Sequence, residues 1–278
     1  MIWKTTENMI KNSALKALIG EELVEIPVIE VFGNKPGKNL VVVAGLHGDE
    51  YDAISAILNL LPQINIDELS GNIFFITIGN PLAFANQTRE TPASYRGGNL
   101  ARLFPGDYLG SPTQVIARTI WDFILEKCTS LDLVIDLHSG GQFYSYARMA
   151  GVRGSLPESP QTNFAKLAAR AMKIENLWIM EPTPGTLTQE LILQGIPAIG
   201  CEVEGRGVTN PDEVQVYVEG IMNILRLTNH LIGDAILTDG DFYRTITIYS
   251  SKSGFAVVLP QTHSRVNKGE IICRIMTA

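Results

Sequence analysis

LVVVAGLHGDE, residues 40–50, is the stretch whose reading decides the fold. Its first six residues form a short, β-branched, continuously apolar run, which suits a strand buried on both faces, and such strands belong to parallel sheets covered by helices. The run delivers His47 and Glu50 at its end, three residues apart, where one turn of chain can point both side chains the same way. NIFFITIG (72–79), LDLVIDLHSGG (131–141) and AIGCEVEG (198–205) read as further strands of this kind. Helical spacing of apolar residues fills the intervals at 52–61, 113–127, 164–172, 187–193 and 211–231, the last opened by Pro211 with Asp212 and Glu213 in its first turn. Alternating strands and helices predict an α/β fold with a largely parallel sheet flanked by helices, its ligands bound beyond the carboxyl ends of the strands. From residue 234 onward short alternating runs (YRTITIY, GFAVVLP, EIICRI) replace the helices. They predict a small β domain at 234–278 after a catalytic domain at 1–233.

Composition narrows the function. The chain has 278 residues, enough to bury a substantial core, and a net charge of −7, which argues against a nucleic-acid partner. Its three cysteines, Cys128, Cys201 and Cys273, are far apart and form no CxxC pair, so any metal site must use other ligands and a reducing compartment fits. The start MIWKTTENMIKNS lacks the apolar core of a signal peptide, and no apolar run reaches the roughly 18 residues of a membrane span. A cytoplasmic protein without membrane contact is expected, with a homo-oligomer left open.

Two of the four histidines, His47 and His138, fall at strand ends, one of them with a glutamate at ligand spacing. A lone histidine in such a place is more often a satisfied polar residue than a ligand. Here His47, Glu50 and His138 together make the two-imidazole, one-carboxylate set of a catalytic zinc site, which leaves a fourth position for solvent. Asp136, two residues before His138, suits an outer role in orienting it. His230 and His263 lack such contexts and read as surface residues. Amide hydrolysis at neutral pH needs an activated water, a stabilised oxyanion and a carboxylate to shuttle the proton. Glu202 and Glu204 both qualify as that carboxylate, since alternate residues of a strand share a face. Arg89, Arg96 and Arg102 lie in an aperiodic stretch, 87–110, where guanidinium forks suit a substrate carboxylate or an oxyanion.

These blocks resemble the succinylglutamate desuccinylase and aspartoacylase family, a branch of the zinc carboxypeptidase fold. The resemblance runs through AGLHGDEYDA (44–53), NPLAFANQTRETP (80–92), GGNLARLFPG (97–106), DLHSGG (136–141) and GTLTQELILQGIPAIGCEVEG (185–205). It continues into GFAVVLPQTHSRVNKGEIICRI (254–275), which is similar to the small β domain appended in that family. The resemblance implies a mixed, largely parallel sheet, one zinc ion per chain and hydrolysis of an amide in a small carboxylate substrate. It further implies Glu202 as general base, Arg89 as the oxyanion group and Arg102 as the carboxylate-binding group; the loop itself offers Arg96 as a further substrate contact, and Asn99 as a substitute for the family asparagine. Ala101 stands where the family has asparagine, and Ser94-Tyr95-Arg96 stands where an acidic residue and a shorter path are expected. Besides an N-acyl amino acid deacylase, the residues admit a carboxypeptidase-like metallopeptidase or a zinc-binding protein without turnover.

Overall fold

The computed structural model describes residues 9–154, 158–261 and 264–277. Residues 40–43 behave as their sequence requires. Leu40, Val41, Val42 and Val43 are all fully buried in β3 (Lys35–Val43), because helices cover both faces of the sheet there. Leu40 and Val42 pack into one apolar layer with Ala53, Ile57 and Leu60 of α1 (Asp52–Leu60), while Val41 and Val43 pack into the other with Ile116 and Ile120 of α3 (Pro112–Lys127). Each such side chain contributes about 1.5–3 kcal/mol when fully buried, so a strand without a polar face is stable only between two layers.

The main sheet has nine strands among the described residues. In addition to β3 they are β1 (Ile10–Ile19), β2 (Glu22–Phe32), β4 (Ser70–Ile76), β5 (Leu133–Ser139), β6 (Met149–Arg153), β7 (Asn176–Met180), β8 (Ala198–Val203) and β9 (Phe242–Arg244). Their spatial order is β1-β2-β4-β3-β5-β8-β6-β7-β9. The centre, β4-β3-β5-β8, is parallel, and the mixed character comes from an antiparallel hairpin, β1-β2, on one side and the antiparallel pairing of β6 with β8 on the other. Two short helices, α2 (Pro81–Ala85) and α5 (Leu187–Leu193), and two longer ones, α4 (Pro160–Ala171) and α6 (Pro211–Leu227), complete the layers.

Local chemistry fixes the helix boundaries. Ser111 caps α3 in a reciprocal capping box with Gln114, with Pro112 in the first turn. Asn210 caps α6, which stops at Leu227, short of the expected residue 231, as Asn229 turns into the left-handed region at φ 61°. The 87–110 stretch is a loop punctuated by single 3-10 turns at Ala93–Tyr95 and Leu100–Arg102. Beyond residue 233, Phe242–Arg244 joins the edge of the main sheet beside β7, and only β10 (Phe255–Val258) and β11 (Cys273–Met276) form a separate two-stranded sheet. No helix among the described residues is long and apolar enough to cross a membrane.

Candidate active site

Parallel pairing brings the candidate metal-binding residues together. β3 and β5 are neighbours with Val43 opposite Asp136, and β5 and β8 are neighbours with His138 opposite Glu202, so the three strands end along one edge. The chain leaves β3 through Gly45, at φ 65°, and Gly48. A Cβ on Gly48 would lie 2.1 Å from the backbone of Ala83, so only glycine lets the 45–50 turn press onto α2. That turn aims His47 and Glu50, both about 1% exposed, at His138. His47 Nδ1 lies 2.7 Å from Glu50 Oε1, His138 Nδ1 lies 2.9 Å from Glu50 Oε2, and the two Nδ1 atoms are 3.2 Å apart. Asp49, between the two ligands, accepts the Gln142 amide at 2.9 Å and ties this turn to the segment after His138.

The far side of each ring is also held. His47 Nε2 meets Asn99 Oδ1 at 3.1 Å, and the Ala101 amide, donating to the same oxygen at 3.0 Å, fixes which end of the Asn99 amide faces the ring. His138 Nε2 lies 3.1 Å from Asp136 Oδ1, an ion-pair contact without the alignment of a hydrogen bond. Acceptors at both Nε2 atoms favour a proton there, which turns the Nδ1 lone pairs toward each other and toward a carboxylate. Three atoms that can each present an electron pair, within 4.8 Å of one another, fit a divalent cation. Electrostatics agree. Burial opposes charge on His138, yet Asp136 and Glu50 push its pKa well above the usual imidazole value. Glu50 is likewise held below the usual carboxylate range by His47 and His138 against the cost of burial. The cluster therefore calls for positive charge, which a metal ion supplies as well as a proton does.

Glu202 faces this cluster and Glu204 does not. Glu202 lines the cavity beside the histidines, and its Oε2 is buried with no hydrogen-bond partner. Burial, with Glu50 and Asp136 adding to it, pushes its carboxyl up to about 8 against the pull of His138 and Arg89. Glu204 lies past the end of β8, paired with Arg206 and within 3.4 Å of Ser145 Oγ. Arg89 reaches the cluster, donating from Nη1 to Glu50 Oε1 at 2.7 Å, with its guanidinium 5.2 Å from the Tyr144 ring centre. Arg102 lines the same cavity, and among the described residues its side chain bonds only the Ala101 carbonyl, at 3.0 Å.

Two expected substrate contacts are placed differently. Arg96, in the left-handed region at φ 50°, opens onto a separate surface depression beside Leu18 and Tyr108 and does not line the active-site cavity. Asn99 has its side-chain oxygen committed to His47 and Ala101, so that atom orients a ligand. Of the remaining histidines, His230 is not a surface residue: it is 1% exposed, with Nδ1 2.7 Å from Thr228 Oγ1 and Nε2 3.2 Å from the Asn72 carbonyl. His263 lies outside the described residues.

The cavity, about 470 Å³, also takes in residues with no sequence signal, among them Tyr146, Arg153, Trp178 and Thr188. Tyr146, Arg153 and Trp178 come from β6, β7 and the turn before β6, strands of five residues whose composition announces neither element nor site, and Thr188 comes from the first turn of α5. Thr245 and Thr247 of the C-terminal segment form part of its wall.

Comparison with known proteins agrees with this architecture. Residues 36–228 match the model of the succinylglutamate desuccinylase/aspartoacylase catalytic domain. An N-alpha-acetyl-L-2,4-diaminobutyric acid deacetylase from Halomonas elongata is 29% identical over 205 residues, which is 73% of this chain and 58% of that protein. The chain thus spans little more than half the length of this curated relative. Among solved structures, a succinylglutamate desuccinylase/aspartoacylase from Rhodobacter sphaeroides superposes with a TM-score of 0.85 at 24% identity, covering 96% of this chain and 83% of that one. The product-bound ectoine utilization protein from Ruegeria pomeroyi gives 0.83 at 22% identity with the same coverage. An aspartoacylase family protein from Mesorhizobium loti gives 0.79 at 25%, over 96% and 81% of the two chains. With the matched model spanning well over half of its length, the chain belongs to the succinylglutamate desuccinylase/aspartoacylase family.

Proposed function

We propose that this protein hydrolyses the amide bond of an N-acyl amino acid, using one zinc ion held by His47, Glu50 and His138. The observation that carries the reading is the convergence of the three donors beside a buried glutamate oxygen that has no protein partner. The family assignment and the deacetylase relative support the reaction class. When bound, zinc supplies Lewis-acid polarisation of a carbonyl and lowers the pKa of a water toward about 7.

The chain supplies the rest. Glu202 accepts the proton of the attacking water and returns it to the leaving amine, a task suited to a carboxylate that lines the cavity beside the histidines with one oxygen unpartnered among the described residues. Arg89, anchored at the cluster by Glu50 and Tyr144, presents its guanidinium to the oxygen that gains charge as the carbonyl is attacked. Arg102 binds the substrate carboxylate from the cavity wall. Residues 1–233 form the catalytic unit, and residues 234–278 shape its entrance through Thr245 and Thr247. A small carboxylate substrate fits the arginine-lined cavity.

The test is a panel of N-acetyl and N-succinyl amino acids alongside short peptides with free C-termini. Hydrolysis of an acylated member, lost with chelator and restored by zinc, is expected. Release of amino acids from peptides alone would make the protein a carboxypeptidase-like enzyme. Absence of all turnover in zinc-loaded protein would leave only metal binding.

A further inference from the structure

Arg153 is a cation that the catalytic roles above do not use. It ends β6, and its Nε donates to Thr188 Oγ1 at 2.8 Å while its Nη1 donates to the Glu181 carbonyl at 2.9 Å. Both partners are neutral. Among the described residues it has no ion-pair partner, and its Nη2 has no acceptor. Arg102 lines the same cavity and is equally without a carboxylate. Both arginines abut one segment, 181–188: Arg153 through Thr188 and Glu181, and Arg102 through its carbonyl, which a Cβ on Gly185 would approach to 2.2 Å.

The sheet provides the path between this pair and the metal cluster. In the β6-β8 pairing Met149 is opposite Glu202 and Gly151 is opposite Gly200. Alternate residues share a face, so Glu202 and Gly200 face the same side as Met149, Gly151 and Arg153. Neither glycine places a side chain of its own between Glu202 and Arg153, a span of roughly 13 Å at about 3.3 Å per residue, and Met180 and Trp178 floor the interval by packing over Gly200 and Gly151. Ala101, the residue before Arg102, has no side-chain donor, and the Asn99 oxygen is already engaged.

We propose that Arg153 is the second arginine of a two-guanidinium carboxylate seat, donating from Nη2 beside Arg102 to one carboxylate of the substrate. The proposal rests on the deacylase reading for the identity of that substrate, and on Arg102 as its first anchor. Two guanidinium groups in one cavity repel each other, an effect that Asp136 offsets in part at Arg153, and an acidic ligand held by both relieves the remainder. Burial, with Arg102 adding to it and Asp136 opposing, draws Arg153 down to about 10, still charged at neutral pH. A neutral group in place of the carboxylate gains no such charge pairing, so the seat favours acids over uncharged amides.

Steady-state kinetics on zinc-loaded wild type, Arg153→Gln and Arg153→Lys test this, with the best N-acyl amino acid of the panel and its carboxamide counterpart as substrates. Arg153→Gln is expected to raise KM for the carboxylate about 10- to 100-fold, the size of one lost charge-assisted hydrogen bond, with a much smaller change in kcat. The carboxamide should be used almost equally by wild type and variant, and Arg153→Lys should fall between. Glutamine keeps a donor toward Thr188, and should it fail to fold, the lysine variant carries the comparison. Unchanged KM overturns the proposal, as does an equal loss on carboxylate and carboxamide, which marks a purely structural arginine. Should no panel member be hydrolysed, the deacylase reading fails and calorimetry with N-acetyl-L-glutamate reads the seat directly. Affinity about tenfold weaker in Arg153→Gln then supports it, and equal affinity overturns it.

Discussion

His47 Nε2 and Asn99 Oδ1, 52 residues apart in sequence, meet at 3.1 Å behind the metal-ligand cluster. The contact turns His47 Nδ1 toward Glu50 and His138, and it links the arginine loop to the ligand turn. Asn99→Ala removes the acceptor while leaving every donor of the cluster in place. Zinc affinity, read by competition with a chromogenic chelator, is expected to fall about 10- to 100-fold. Unchanged affinity would show that Asn99 does not orient the ring.

In the proposed mechanism Glu202 carries the proton and does not ligate. Glu202→Gln should therefore retain one zinc per chain by elemental analysis while kcat falls by roughly 10²- to 10⁴-fold. Persistent activity would remove Glu202 from the mechanism. Loss of zinc would make it a fourth ligand.

Gly48 lies against Ala83 and Phe84, where a Cβ would be 2.1–2.2 Å from backbone atoms. Gly48→Ala must displace the 45–50 turn or α2, at a cost on the order of 3 kcal/mol, and should lower both the melting temperature and zinc occupancy. A variant as stable as wild type, with full occupancy, would mean that the turn has room the packing does not show.

His230 gives a pH dependence away from the catalytic cluster. Burial lowers its pKa below 6.5, with the acceptors around it and Asp132 opposing. As pH falls below about 6.5 the unfolded chain takes up a proton that folded His230 resists, so its contribution to stability is present at neutral pH and lost on acidification. Urea midpoints at pH 7.5 and 5 should thus differ more for wild type than for His230→Gln. Equal differences would mean that the folded protein protonates His230 freely.

Much of this arrangement was legible in the sequence because it obeys local rules. The apolar runs at 40–45 and 133–135 have no polar face, which allows only a strand covered on both sides, and strands of that kind bring His47 and His138 to one edge. The hairpin of β1 and β2 was not legible: Pro27 interrupts the second strand, and β1 is half exposed along its length, so neither shows a clean period. β6 and β7, five residues each, gave too few positions for a pattern. The same brevity hid Arg153 from a reading that looked for arginines in loops. His230 was misplaced because its partners, Thr228 and the Asn72 carbonyl, are a neighbour and a distant backbone atom that no motif announces. Spacing could not separate Glu202 from Glu204. The end of β8 at Val203 does, since Glu204 has already left the strand when it meets Arg206.

The most direct measurement is anomalous diffraction from crystals of the zinc-loaded protein, recorded on both sides of the zinc absorption edge. One peak per chain is expected, about 2.0–2.2 Å from a nitrogen of His47, a nitrogen of His138 and an oxygen of Glu50. A peak at any other group of side chains, or none in crystals of protein that still hydrolyses its substrate, would contradict the metal centre on which every catalytic role above depends.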